Sequence, residues 1–135
     1  MNSHPERAQD YLEHILAALE RIQRYTAGKS TDEFMASTLL QDAVLRNLGN
    51  IGEAAHRLLA DAPEFVAKHQ EIPFAKIYAT RNRITHAYEE VDMEIVWNLV
   101  VNDVPALLPT IVAALNEFKR EIDEMSGTPK AGTAV

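Results

Sequence analysis

Apolar side chains in this chain recur every three or four residues over long stretches, and nowhere do they alternate as a half-buried strand requires. Leu12, Ile15, Leu16, Leu19 and Ile22 form the first stripe, introduced by Ser3 and Pro5 and closed by Gly28. Ser30 and Glu33 then make a capping-box pattern. From it Leu40, Val44, Leu48, Ile51, Ala55 and Leu58 continue as one stripe, so a second helix is expected to run unbroken for roughly 45 Å. Gly49 and Gly52 fall inside that helix, where each costs about 1 kcal/mol relative to alanine. Close approach of a neighbouring helix is expected to compensate.

Pro63 and Pro73 punctuate a connection with room for a short helical piece around Phe65. Pro73 is placed to start a third helix from about Phe74 to Glu90, and Asp92 to cap a fourth. Ile95, Trp97, Leu99 and Val100 carry that last pattern. Asp103 and Pro105 mark a restart or kink before Leu108, Ile111, Leu115 and Phe118. The fold expected is all-α, an up-and-down bundle of four to five helices in one domain over residues 1–125, with a disordered tail at 126–135. A chain of 135 residues removes roughly two-thirds of its unfolded surface from water, enough for a core without staples.

Cysteine is absent, which excludes disulfides, thiolate chemistry and cysteine-ligated metals. No apolar run approaches the roughly 18 residues of a membrane span, and Met1 to Glu6 is polar, so a soluble cytoplasmic protein without a membrane anchor is expected. The net charge of -7 argues against a general nucleic-acid binder, and no DNA partner is expected. A local basic patch remains open to RNA: Arg81 and Arg83 lie within three residues, and Arg46 and Arg57 could extend the patch.

The chemistry-bearing stretch is Arg81-Asn82-Arg83-Ile84-Thr85-His86-Ala87-Tyr88. At about 100° per residue, Asn82 and His86 share one helical row, and Arg81, Thr85 and Tyr88 the adjoining one. Arginine offers a permanently charged fork for phosphate oxygens, and histidine exchanges protons near neutral pH. Phosphodiester cleavage is the reaction such groups suit. On spacing alone, a solvated helix face or a non-catalytic module binding a nucleotide or protein accounts for them equally.

That stretch resembles the Arg-x4-His-x-Tyr signature of HepT-type toxins of the HEPN superfamily. The similarity extends through Gln41 to Arg46, Ile51 to Ala55, Glu71-Ile72-Pro73, Val91-Asp92, Trp97 and Asp103 to Pro105. The resemblance implies a HEPN-like homodimer whose two Arg-x4-His segments face one cleft. It also implies a metal-independent RNA endonuclease of a type VII-like toxin-antitoxin pair, with Arg81 and His86 catalytic, Asn82 orienting them and no cofactor. The partner it implies is a nucleotidyltransferase antitoxin of the MNT class, which neutralises such toxins by adding AMP to the tyrosine matching Tyr88. Glu89 and Glu90 depart from the family by placing two carboxylates beside that tyrosine.

Glu53-Ala54-Ala55-His56 reproduces the Glu-x-x-His spacing of di-iron bundles, but no second copy exists, so no metal site is assigned. Helical spacing puts Glu53 near Arg46 and Arg57, and a role in holding an arginine of the Arg81 helix is the alternative. Arg83 is a further supporting candidate. His4, His14 and His69 are read as surface residues.

Overall fold

The stripe beginning at Leu12 folds as α1 (Pro5–Thr26), which ends where Gly28 takes φ +72°, a left-handed conformation that favours glycine. Leu12, Ile15, Leu19 and Ile22 are buried, each contributing about 1.5–3 kcal/mol relative to exposure. The structure is a computed structural model that describes residues 5–86 and 91–126; for a few of these, His86 among them, it describes the backbone alone. Among the described residues every regular element is helical.

The expected long second helix is broken. Ser30 and Glu33 do close a capping box, but the helix they start, α2 (Thr31–Ala36), has only six residues. Ser37 turns extended, and its side chain accepts from the Leu40 amide to begin α3 (Thr38–Asp61). Gln41 seals the break by donating to the carbonyls of Phe34 and Met35 at 3.0 and 3.1 Å. The physical reason for the bend is Phe34. It is fully buried and stacks on Trp97 with ring centroids 4.9 Å apart, a position it could not reach from a continuation of α3.

Pro63 opens α4 (Pro63–Lys68) around Phe65, as expected. The following His69 corrects the surface reading: it is buried, stacks on Phe65 at 4.3 Å, and sets Nδ1 3.1 Å from Glu71 Oε2. Glu71's own backbone amide, and then His69, hold its carboxyl below the usual range. Pro73 precedes α5 (Phe74–His86). The expected continuation of α5 to Glu90 falls on residues outside those described.

Asp92 caps α6 (Met93–Asn98) through the Glu94 amide, and the chain passes through a π-helical turn at Leu99–Asp103 into α7 (Val104–Ser126). The anticipated restart at Asp103 and Pro105 is this turn: the Val104 amide bonds back five residues to the Leu99 carbonyl just before Pro105, which has no amide to give. By length and composition alone, an 18-residue stretch within Met93–Met125, with mean hydropathy 1.5, is apolar enough to cross a membrane. The sequence reading missed this because asparagines and Asp103 interrupt every run without lowering the average far. Val96, Val100, Val104, Ile111, Ala114, Leu115 and Phe118 face the core, while Ile95 and Val101 remain half exposed. Ser126 closes α7, and the expected disordered tail otherwise lies outside the described residues.

Cross-helix pairs fix the directions. Tyr11 reaches Asp61 and Arg21 reaches Asn47, so α1 and α3 are antiparallel; α1 also packs along α7, and α3 along α5. Counting α6 and α7 as one bent rod, the described residues form six helical segments rather than four to five, the surplus coming from the Ser37 break.

The two glycines of α3 differ. A Cβ added at Gly49 meets nothing within 4 Å, whereas Gly52 is closely packed, so close approach holds for one of the pair only. Gly49→Ala is expected to stabilise the fold by about 0.5–1 kcal/mol, because the unfolded chain loses freedom and nothing is displaced. Urea unfolding checks this: a higher midpoint with unchanged slope is the expected result, and a lower midpoint contradicts it.

Candidate active site

Two antiparallel contacts bring α5 onto α3. At one, the His56 and Tyr78 rings stack with centroids 4.3 Å apart. One turn away, Arg81 lies so close over Gly52 that any Cβ there would overlap the Cβ and Cγ of Arg81. Glycine at 52 therefore sets the height of the arginine above α3. Its side chain is 29% exposed, anchored at the root and reaching toward the surface at the tip.

Two neighbours orient that tip. Nη1 donates to Asn82 Oδ1 at 3.1 Å, and Nη2 lies 3.6 Å from Glu53 Oε2. The other Glu53 oxygen lies 3.4 Å from Arg57 Nε, so a single carboxylate bridges two guanidinium groups. Half-exposed ion pairs of this kind add little stability, and their effect is geometric: they narrow the directions in which the Arg81 fork can point. Such a fork, partly desolvated and on a rigid helix, can pair with an oxyanion such as a phosphate.

The remaining sequence candidates divide. Asn82 joins the cluster; Arg83 does not, since it is exposed and lines a cleft against α6 with Val91 and Ile95. Arg57 joins through Glu53. Arg46 is exposed on α3, seven residues and roughly 10 Å before Glu53. His86 is the last residue of α5, one turn beyond Asn82 along the backbone. Tyr88, Glu89 and Glu90 lie outside the described residues. Glu53 and His56 do not act as a ligand pair, because one bridges arginines and the other stacks on Tyr78. Among the described residues no three His, Asp or Glu side chains converge.

Two depressions border the cluster. A cleft of about 410 Å³ runs between α5 and the α6–α7 rod, with Lys76, Thr80 and Arg81 on one wall and Leu99, Asp103 and Leu107 on the other. A second, of about 320 Å³, lies between α1 and α3 and is lined by Tyr11, His14, Arg21, Asn50, Glu53 and Arg57. At its end Tyr11 donates to Asp61 at 2.7 Å, and this bond above all pushes the phenol pKa up, keeping it a donor. Sequence reasoning missed this groove. Tyr11, His14 and Arg21 recur at three- and seven-residue spacing like any solvated face of α1, and only the antiparallel pairing with α3 gives them opposite neighbours.

Comparison with known proteins accords with the Arg81 segment. The sequence model of the family described as "Ribonuclease HepT-like" matches residues 15–114. A Thermococcus cleftensis protein named for ribonuclease HepT is 36% identical over 99 residues, which cover 73% of this chain and 87% of that one. A Caldanaerobacter subterraneus protein with RNase in its name is 32% identical over 109 residues, covering 81% and 95% respectively. A longer Methanocaldococcus jannaschii protein, whose name joins a gamma-glutamylcyclotransferase to an RNase, is 36% identical over 110 residues; these cover 82% of this chain but only 48% of the relative. No solved structure matches the chain significantly.

The glycine contact yields a test that needs no substrate. Gly52→Ala places a methyl against the root of Arg81, which cannot swing aside as a flexible tip would, so α5 must shift. The expected cost is about 1–3 kcal/mol in urea unfolding, opposite in sign to Gly49→Ala. Equal effects of the two substitutions would contradict the packing described.

Proposed function

The chain belongs to the HepT-like ribonuclease family, and from that premise we propose that it is a metal-independent RNA endonuclease whose site is completed by a second copy of itself. The observation that carries this reading is the arginine of the Arg-x4-His segment, seated on Gly52 and aimed by Glu53 and Asn82 toward the surface. His86, one turn beyond Asn82 on the same helix, is the proton-transfer group. Its reference pKa of about 6.5 suits work at neutral pH.

In the proposed reaction the imidazole of His86 takes the proton from an RNA 2'-hydroxyl. The freed oxygen attacks the neighbouring phosphorus, and the P–O5' bond breaks as the O2'–P bond forms. The products are a 2',3'-cyclic phosphate and a 5'-hydroxyl, the leaving oxygen receiving its proton from the His86 of the second copy. Arg81 stabilises the negative charge added to the phosphorane oxygens. One histidine cannot be base and acid on opposite sides of one phosphorus in the same turnover, so dimerisation is part of the chemistry. The half-exposed Ile95 and Val101 on the α6–α7 rod supply apolar surface for such a contact.

The biological role we propose is that of a toxin held in check by a nucleotidyltransferase that adds AMP to Tyr88. The modification brings a phosphate close to Arg81 in sequence, where it competes with RNA for the guanidinium and blocks the site by bulk. Glu89 and Glu90 follow the acceptor in sequence, and two added carboxylates suit a partner with a basic surface rather than RNA.

Purified protein incubated with RNA in excess EDTA is expected to cleave it, leaving cyclic phosphate ends. His86→Ala should reduce the rate by about 10²- to 10⁴-fold, and Arg81→Lys should also reduce it, since lysine keeps charge but loses the fork. RNA bound but left intact by the wild-type protein overturns the nuclease reading in favour of a binding module. Coexpression with the partner transferase should add the mass of AMP to Tyr88; neutralisation without that mass excludes the modification.

A further inference from the structure

We infer that the groove between α1 and α3 is a strand-binding subsite, which carries the RNA flanking the scissile phosphate toward Arg81. The inference rests on the ribonuclease reading and assigns a surface that reading does not use. Continuity is the first argument. Glu53 lines this groove and also pairs with Arg81, so the groove ends one carboxylate away from the proposed catalytic arginine. Arg57, on the other oxygen of the same carboxylate, places a second permanent cation one carboxylate away from the first.

Charge is the second argument. The chain carries a net charge of -7, and most of its surface repels a polyanion. Within the groove both nearby carboxylates are already occupied: Glu53 by two arginines, Asp61 by the Tyr11 hydroxyl and by Arg7 at 4.0 Å. Arg21, on the α1 wall, has no carboxylate partner among the described residues; its one bond is a long 3.4 Å contact to the Asn47 amide oxygen. Its positive charge is left for a ligand. Arg21 and Arg57 thus supply a phosphate track on a body that otherwise excludes RNA.

Shape and ring chemistry are the third. A groove of about 320 Å³ admits a segment of single strand. Tyr11, fixed by its bond to Asp61, and exposed His14 one turn later present rings on which bases can stack without regard to sequence. A duplex, whose bases are already stacked, gains nothing from such rings, so single-stranded RNA is the ligand class.

The test uses fluorescence anisotropy with a labelled single-stranded dodecanucleotide and full-length His86→Ala protein, which binds without cleaving. Adding Arg21→Gln should weaken binding roughly ten-fold, and adding Arg57→Gln as well should weaken it further. The slope of log affinity against log salt should become shallower by about 1.4 for the two lost contacts. In the cleaving protein, Arg21→Gln should raise KM for the dodecanucleotide more than for a dinucleotide. Arg21 lies on α1 and, among the described residues, forms no hydrogen bond or ion pair with Glu53 or Arg81, so its effect separates the groove from the catalytic cluster. Unchanged affinity and salt slope overturn the subsite while leaving the ribonuclease intact. Loss of dimerisation, or of copurification with the transferase at unchanged RNA affinity, overturns it in favour of a protein interface. If the parent protein neither binds nor cleaves RNA, the ribonuclease reading fails first. Urea unfolding midpoints of each variant unchanged from the parent confirm that binding, not folding, is read.

Discussion

A missing methyl group at Gly52 fixes the geometry on which the rest of this molecule's chemistry depends. Two helices cross where one residue has no side chain, and the residue laid over the gap is Arg81 of the Arg-x4-His segment. A helix of 13 residues is too short to hold itself in place in water, so α5 takes its position from packing on α3. Close approach converts that packing into precision at Arg81. The root of the side chain is immobilised by contact with α3, and only its outer bonds remain to be oriented by Glu53 and Asn82. An arginine pre-placed in this way loses little freedom when a phosphate arrives, which favours stabilisation of a charge that develops only in the transition state.

Glu53 shows how one residue can serve opposing electrostatic needs. Two guanidiniums brought together on an otherwise empty surface would repel each other and drift apart; a carboxylate between them holds both. Because the pairs are partly exposed, the attraction is modest and a phosphodiester oxyanion can compete for the same forks. The acidic composition of the chain acts in the same direction. With an excess of acidic groups overall, a site whose carboxylates are already engaged by arginines is better suited to receive a polyanion than one whose carboxylates are free.

Much of this was legible in the sequence, for local reasons. Ser30 with Glu33, Pro73 and Asp92 precede helices by chemistry confined to a few adjacent residues, each at the expected position, and the short piece expected around Phe65 begins at Pro63. The Arg81 segment was legible as a resemblance, and its polar stripe as a helical face. Other features depend on partners distant in the chain. Ser37 breaks an otherwise continuous apolar stripe because Phe34 is drawn to Trp97, sixty-three residues on. His69 is buried because Phe65 offers it a ring, and Gly52 differs from Gly49 only in what lies across from it. No window of sequence around either glycine contains that difference. The Glu53–Arg81 pair, read from helical spacing only as an alternative, needed the crossing to be decided.

The π-helical turn at Leu99–Asp103 is the counterpart of Gly52 on the other side of α5. Pro105 has no amide to donate to Val101, and its ring would press on that carbonyl in a regular helix. Widening the turn relieves the clash and leaves the exterior of the rod, including Val101, turned toward solvent. It also separates the tasks of the two halves: α6 sends Trp97 onto Phe34 and α2, while α7 lays Ile111, Leu115 and Phe118 into the core along α1. The cleft between this bent rod and α5 follows from that division, since a straight rod packed on α1 throughout would not leave α6 standing over Lys76 and Thr80. Thus α5 lies between a wall that comes closer than ordinary residues allow and one that follows a turn wider than ordinary helices make. The exterior of that distant wall keeps Ile95 and Val101 half exposed, while its inner face fills the core.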